Sequence, residues 1–168
     1  MKFKLAIVLI ILPLALMITA CNEDNGNNPP NQGAGQITGI SMPDSLQKPQ
    51  PSQYTFGLIE ATVQDPDGLN DVDSVYFFSL KPNGQYGNDG QPIRMVDNGK
   101  SFNYGKLGEL YYGDKQSGDG VYSFPMLVFS SDNPDLDTKP GTYIFTFYMR
   151  DKAGNLSEAN TDSIEVYE

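Results

Sequence analysis

In residues 142–150, Tyr143, Phe145, Phe147 and Met149 fall on one side of an extended chain, each separated from the next by one residue. A period of two is the mark of a strand, because successive side chains point to opposite faces. The pattern recurs along the chain. Residues 54–64 set Ile59, Ala61 and Val63 on one face. In 72–81, Tyr76, Phe78 and Leu80 alternate with Val75, Phe77 and Ser79, and 121–129 puts Tyr122, Phe124, Met126 and Val128 together. Residues 162–167 close the series with Ile164 and Val166. From Ile37 onward no apolar face at helical spacing lasts three turns, so residues 37–168 read as one all-β domain.

Turn residues separate these runs. A weak first strand at 37–41 ends before Pro43, and Asp65-Pro66-Asp67-Gly68 reverses the chain after the second. Residues 82–92 are rich in Gly and Pro and read as a long hairpin loop before a short strand at 93–97. Asp97-Asn98-Gly99 makes another turn. Pro125 lacks the N–H that a central strand needs, which predicts an edge position or a bulge for 121–129. About seven mostly antiparallel strands in about 130 residues fit a two-sheet sandwich of the immunoglobulin kind, with a jelly roll or small barrel as the alternative.

Gly113-Asp114-Lys115-Gln116-Ser117-Gly118-Asp119-Gly120-Val121-Tyr122-Ser123 resembles a segment of Ig-like domains in bacterial surface proteins. Gly141-Thr142-Tyr143 through Asp151-Lys152-Ala153-Gly154-Asn155 resembles the penultimate strand and final hairpin of the same class. Residues 101–112 look like an insertion relative to that pattern. The resemblance implies a fold and a compartment and supplies no activity.

The leader carries the address. Lys2 and Lys4 precede an apolar run from Leu5 to Ile18 that Pro13 interrupts. Its fourteen residues rise roughly 21 Å, short of a hydrocarbon core of about 30 Å, so residues 1–20 read as a secretory signal peptide. Ile18-Thr19-Ala20-Cys21 resembles the lipobox of bacterial lipoproteins. That resemblance implies cleavage after Ala20, lipid on the Cys21 sulfur and an acylated new amino terminus. Several acyl chains anchor a protein stably where one does not. Residues 21–36, built largely from Asn, Gly, Pro and Gln, read as a flexible linker. Acidic Glu23 and Asp24 just after the cysteine resemble the surface-export signal of Bacteroidetes-type lipoproteins. The implied location is the outer membrane, lipid-anchored, at the cell surface.

Composition removes most chemistries. The 168-residue chain has no histidine and a single cysteine, which excludes Ser-His-Asp and Cys-His nucleophile systems, the usual zinc sites and any intrachain disulfide. Lys and Arg number 11 against 21 Asp and Glu, a charge of −10, which disfavours nucleic acid. Loss of Lys2 and Lys4 with the leader takes the charge to −12, from 9 basic and 21 acidic groups, and disfavours anionic head groups. No Ser-Lys or phosphate-loop motif is present, and short loops leave little cleft for a carboxylate pair, so the domain reads as non-catalytic.

Two sets of residues stand out as binding candidates. In an Ig-like sandwich, the loops carrying Asp65, Asp67 and Asp71, then Asp114 and Asp119, then Asp151 and Asn155, meet at one end. Their oxygens could supply calcium with its six to eight ligands, although no cofactor is required. The same residues are also ordinary turn formers. The chain enters near that end, which suits a structural ion better than a recognition surface. Asp132, Asp135 and Asp137 form a weaker set at the opposite end, expected to be solvated.

The second set is drawn from the ten tyrosines: Tyr86 in the hairpin loop, and Tyr104, Tyr111 and Tyr112 in the insertion. Exposed tyrosines stack on sugars or anchor protein partners. Carbohydrate modules lean on Trp, which this chain lacks, so packing is the plainer expectation for most of them. The sequence therefore points to a lipid-anchored envelope protein whose Ig-like domain binds a protein or glycan partner or mediates adhesion. The alternatives are a spacer or accessory subunit that docks by strand addition, and a calcium-stabilised adhesin.

Overall fold

The strongest period in the sequence forms the longest strand of its sheet. The computed structural model describes residues 33–102, 113–134 and 137–168, which lie within one compact unit, Gln32–Glu168. The leader, Cys21, the linker up to residue 32, and Tyr104, Tyr111 and Tyr112 lie outside the described residues. Eight strands are present among those described: β1 (Gln36–Ser41), β2 (Ser45–Gln47), β3 (Tyr54–Gln64), β4 (Val72–Leu80), β5 (Ile93–Arg94), β6 (Val121–Phe129), β7 (Gly141–Asp151) and β8 (Asn160–Tyr167). They form a three-stranded sheet, β1-β3-β6, and a five-stranded sheet, β2-β8-β7-β4-β5. All pairings are antiparallel except β2 with β8.

The alternating faces meet between the sheets. Ile59, Ala61 and Val63 of β3 and Met126 and Val128 of β6 face Val75 and Phe77 of β4, Phe145, Phe147 and Met149 of β7, and Ile164 and Val166 of β8. Phe77 sits at the centre, with ring centroids 5.1 Å from Phe124, 5.5 Å from Phe145 and 5.6 Å from Phe147. Each such side chain contributes about 1.5–3 kcal/mol on leaving water, which makes this seam the main source of stability.

Two of the chain's passages between the sheets take only a few residues. β1 pairs with β3, Pro43 breaks the run, and β2 resumes in the other sheet beside β8. β5 pairs with β4 through Ile93 and Arg94 only, and Met95 N–H still donates to Val75 O at 2.9 Å. One residue later Val96 pairs with Ser123 of β6 in the opposite sheet. The strand expected at 93–97 is therefore a crossing point. β6 is an edge strand with an unbroken register against β3, and the missing N–H of Pro125 points off that edge, as a proline requires.

Candidate functional site

The acidic loops do converge at the end where β1 begins, but they form two groups. Carboxylate oxygens of Asp65, Asp67 and Asp71 lie within 4.8 Å of one another, and those of Asp97, Asp114 and Asp119 do the same. Asp151 belongs to neither trio. Its Oδ1 accepts the Asn155 N–H and its Oδ2 the Asn155 side-chain amide, both at 2.7 Å. Burial opposes its ionisation, but the side-chain and backbone donors of Asn155, Gly154 and Ala153 prevail and lower its pKa.

The second trio is a latch between two loops. Asp97 accepts the N–H groups of Gly118 and Gly120, the latter at 3.2 Å, while Asp114 on the second loop accepts Gly99 N–H from the first. Asp114 also accepts Gln116 N–H at 3.4 Å, and Asp119 accepts Val121 N–H at 2.9 Å. Asp114 is only 1% exposed, so its carboxylate depends on these donors. Gly120, at φ 80°, is held where a Cβ would press to 2.9 Å from Leu69 Cδ2. The Gly-Asp-Gly signature is thus explained by loop closure. Asp97 was not foreseen as a member, because its partners lie 21 and 23 residues away and its neighbours spell an ordinary turn.

The first trio is less well satisfied. Asp65 Oδ1 accepts Asp67 N–H at 2.8 Å, whereas Asp65 Oδ2 is buried with no donor. It lies beside Gly35, where a Cβ would stand 2.7 Å from it. Burial raises the pKa of Asp71, and the charges of Asp65, Asp151 and Asp67 raise it further. At the opposite end Asp137 is not a solvated acid. It accepts Ser131 N–H and pairs with Lys139 and Lys48, each at 3.1 Å, and its pKa falls to about 2. Asp135 lies outside the described residues.

A different surface carries unsatisfied apolar area. β4 and β7 pair Tyr76 with Tyr148 and Phe78 with Thr146, all four pointing away from the core. The Tyr76 and Tyr148 rings lie 26° from parallel with centroids 5.8 Å apart. Phe78 meets both edge-on, at 6.0 Å from Tyr76 and 6.1 Å from Tyr148. The loop at 82–92 builds a wall beside them. It folds back on β4, with Lys81 N–H donating to Gln85 O and Gly87 N–H to Ser79 O, both at 2.8 Å, which sets Tyr86 opposite Leu80.

Local chemistry fixes that loop. Asn83 Oδ1 accepts Gln85 N–H at 3.0 Å, and the Asn88 amide donates to Gln91 O at 3.3 Å. A Cβ on Gly87 would stand 2.3 Å from Ser79 Oγ, so any larger residue there would have to turn that hydroxyl aside. Tyr86 is left 57% exposed. Phe78, Tyr86, Gly90, Thr146 and Tyr148 enclose a groove of about 320 Å³. Of the tyrosines expected to bind, Tyr86 lines this groove. Tyr148 was legible by parity, because Phe147 and Met149 on either side point inward.

No family model matches the chain, and no curated protein matches it. Several solved structures are similar at low identity. One is the PKD domain of an M14-like peptidase from a Thermoplasmatales archaeon, with 13% identity over 80% of this chain and 97% of that one, TM-score 0.40. Another is the SrpA adhesin of Streptococcus sanguinis, with 16% identity over 77% of this chain and 56% of that one, TM-score 0.38. AggA, the major subunit of aggregative adherence fimbriae type I of Escherichia coli, shows 17% identity over 79% of this chain and 93% of that one, TM-score 0.38. The strand order and the two facing sheets define an Ig-like antiparallel β-sandwich.

Proposed function

We propose that the chain is a non-catalytic, lipid-anchored envelope protein whose sandwich binds a partner through the outer face of β4 and β7. The observation that carries this reading is the contact of Tyr76, Phe78 and Tyr148 on the solvent side, walled by exposed Tyr86. Aromatic side chains with polar tips are favoured anchors because they offer large apolar area at little entropic cost. Unlike the acidic loops, these rings are not used up by closing the fold. The anchor rests on Cys21, whose neighbours match a lipobox.

Two measurements test the two halves. Labelled palmitate fed to producing cells is incorporated into the chain and lost in Cys21→Ala; equal labelling of both would end the anchoring reading. The unit Gln32–Glu168 carries the whole described core and is suited to a pelleting assay with isolated cell envelopes. Tyr76→Ser combined with Tyr148→Ser is expected to abolish pelleting, and undiminished pelleting would reject the face.

A second reading concerns calcium at Asp65, Asp67 and Asp71. It is supported by the donorless Asp65 Oδ2 and by the approach of the three carboxylates to within 4.8 Å of one another, both of which a cation would relieve. Calcium at a hundred times its dissociation constant stabilises by about 2.7 kcal/mol. A melting shift in millimolar calcium that Asp65→Ala abolishes supports it, and an unchanged melt removes it.

A further inference from the structure

The groove at the Tyr86 loop has a chemistry of its own. Three of its five lining residues are aromatic: Phe78, Tyr148 and the exposed Tyr86. The polar groups that its lining residues carry are the hydroxyls of Thr146, Tyr86 and Tyr148 and the backbone of Gly90. No charged side chain lines it, in a chain whose net charge is −10. At about 320 Å³ it sits at the small end of the range for ligand pockets, about 300–1,000 Å³.

Resting on the reading of the β4–β7 face given above, we propose that this groove holds a neutral pyranose unit of an envelope or extracellular glycan. A pyranose ring has a face of C–H groups and a rim of hydroxyls. The C–H face carries slight positive charge and lies against the negative face of an aromatic ring, while the rim exchanges hydrogen bonds with hydroxyls and backbone. Phe78 and Tyr148 supply the first kind of surface, and Thr146, Tyr86 and Gly90 the second. An anionic sugar would meet no cation in the lining and would approach an acidic protein. An apolar peptide side chain would leave the hydroxyls without use.

The groove is also preformed. The Asn83 and Asn88 side chains and the Gly87–Ser79 contact hold the wall before any ligand arrives. Little loop entropy is then lost on binding. Position favours recognition as well. β1 pairs Gln36 with Gln64, next to Asp65, so the chain enters at the acidic end, and Phe78 lies six residues along β4 from there, roughly 20 Å away.

The test is native electrophoresis of Gln32–Glu168 through gels containing one polysaccharide each: hydroxyethyl cellulose, laminarin, galactomannan, soluble starch or anionic alginate. At least one neutral polysaccharide is expected to retard the parent. Tyr148→Ala and Tyr86→Ala are each expected to weaken that retardation tenfold or more, with circular dichroism unchanged. Free migration in every neutral gel overturns the proposal, as does retardation by alginate alone or retardation that survives both substitutions. Periodate treatment of envelopes, which cleaves vicinal diols, separates the two readings. Pelleting lost after periodate supports the sugar. Pelleting that withstands both periodate and trifluoromethanesulfonic acid, which also cleaves 1,3-linked glycans that lack vicinal diols, but still needs Tyr76 and Tyr148 overturns the sugar and leaves the binding face standing.

Discussion

The acidic end and the aromatic face are both rich in residues that bind things, yet the fold treats them oppositely. At the acidic end the carboxylates of Asp97 and Asp114 are occupied by N–H groups of each other's loops, and that of Asp151 by its own loop. On the β4–β7 face the rings of Tyr76, Phe78 and Tyr148 touch one another and water, and the hairpin that carries Tyr86 is braced without covering them. A cluster whose polar atoms are consumed by closing loops is architecture. A cluster left partly exposed at a fixed geometry is available to a partner.

This contrast separates stability from binding, and the largest expected effect falls at the acidic end. Asp114→Ala removes a buried acceptor and strands Gly99 N–H, at a cost of about 2–3 kcal/mol, or a melting temperature roughly 10 °C lower by calorimetry. Envelope binding below the melt should be unchanged. Tyr148→Ala should do the reverse, losing about 1 kcal/mol of ring contacts while abolishing binding. If Asp114→Ala abolished binding with its fold intact, the division between the two regions would fail.

Titration sharpens the same comparison between acids. The pKa of Asp137 is about 2 in the fold, below its ordinary 3.8, through Ser131 N–H, Lys139 and Lys48. Its stabilising contribution is complete above the ordinary value and is lost as pH falls through about 2. Asp137→Asn should therefore destabilise at pH 7, and the difference from the parent in acid melts should shrink toward pH 2. Asp71 has the opposite sign. Its raised pKa means that its charge works against the fold above the ordinary value, so Asp71→Asn should raise the melting temperature at pH 7 and lose that advantage in acid. The smallest effect on stability is expected for Gly87→Ala. Its Cβ would displace Ser79 Oγ and tilt the Tyr86 wall, weakening retardation in the gels while the melt moves by a degree or two.

The sequence revealed these regions unequally. Period two located β3, β4, β6, β7 and β8, because each runs for eight or more residues and carries alternating apolar side chains, several of them buried. β2 escaped because three residues with only Leu46 buried contain no period. The sheet crossing after β5 escaped because Ile93, Met95 and Val96 look the same whether a strand continues or changes partner. Convergence of the acidic loops followed from the sandwich, but their division into two trios did not. That division depends on Asp97, whose role is set by glycines more than twenty residues away.

The aromatic face was harder still. On β4 both faces are apolar, Val75 and Phe77 on one and Tyr76 and Phe78 on the other, so alternation alone does not say which is buried. Only the partner strand decides. Phe147 and Met149 turn inward, which leaves Tyr148 outward and Tyr76 beside it.

One pairing of variants tests the division most directly: pelleting of Tyr148→Ala and Asp114→Ala of Gln32–Glu168 with isolated envelopes, at a temperature where both are folded. The expected result is no pelleting for Tyr148→Ala and parental pelleting for Asp114→Ala. The reverse pattern would move recognition to the acidic loops and contradict the assignment of the β4–β7 face.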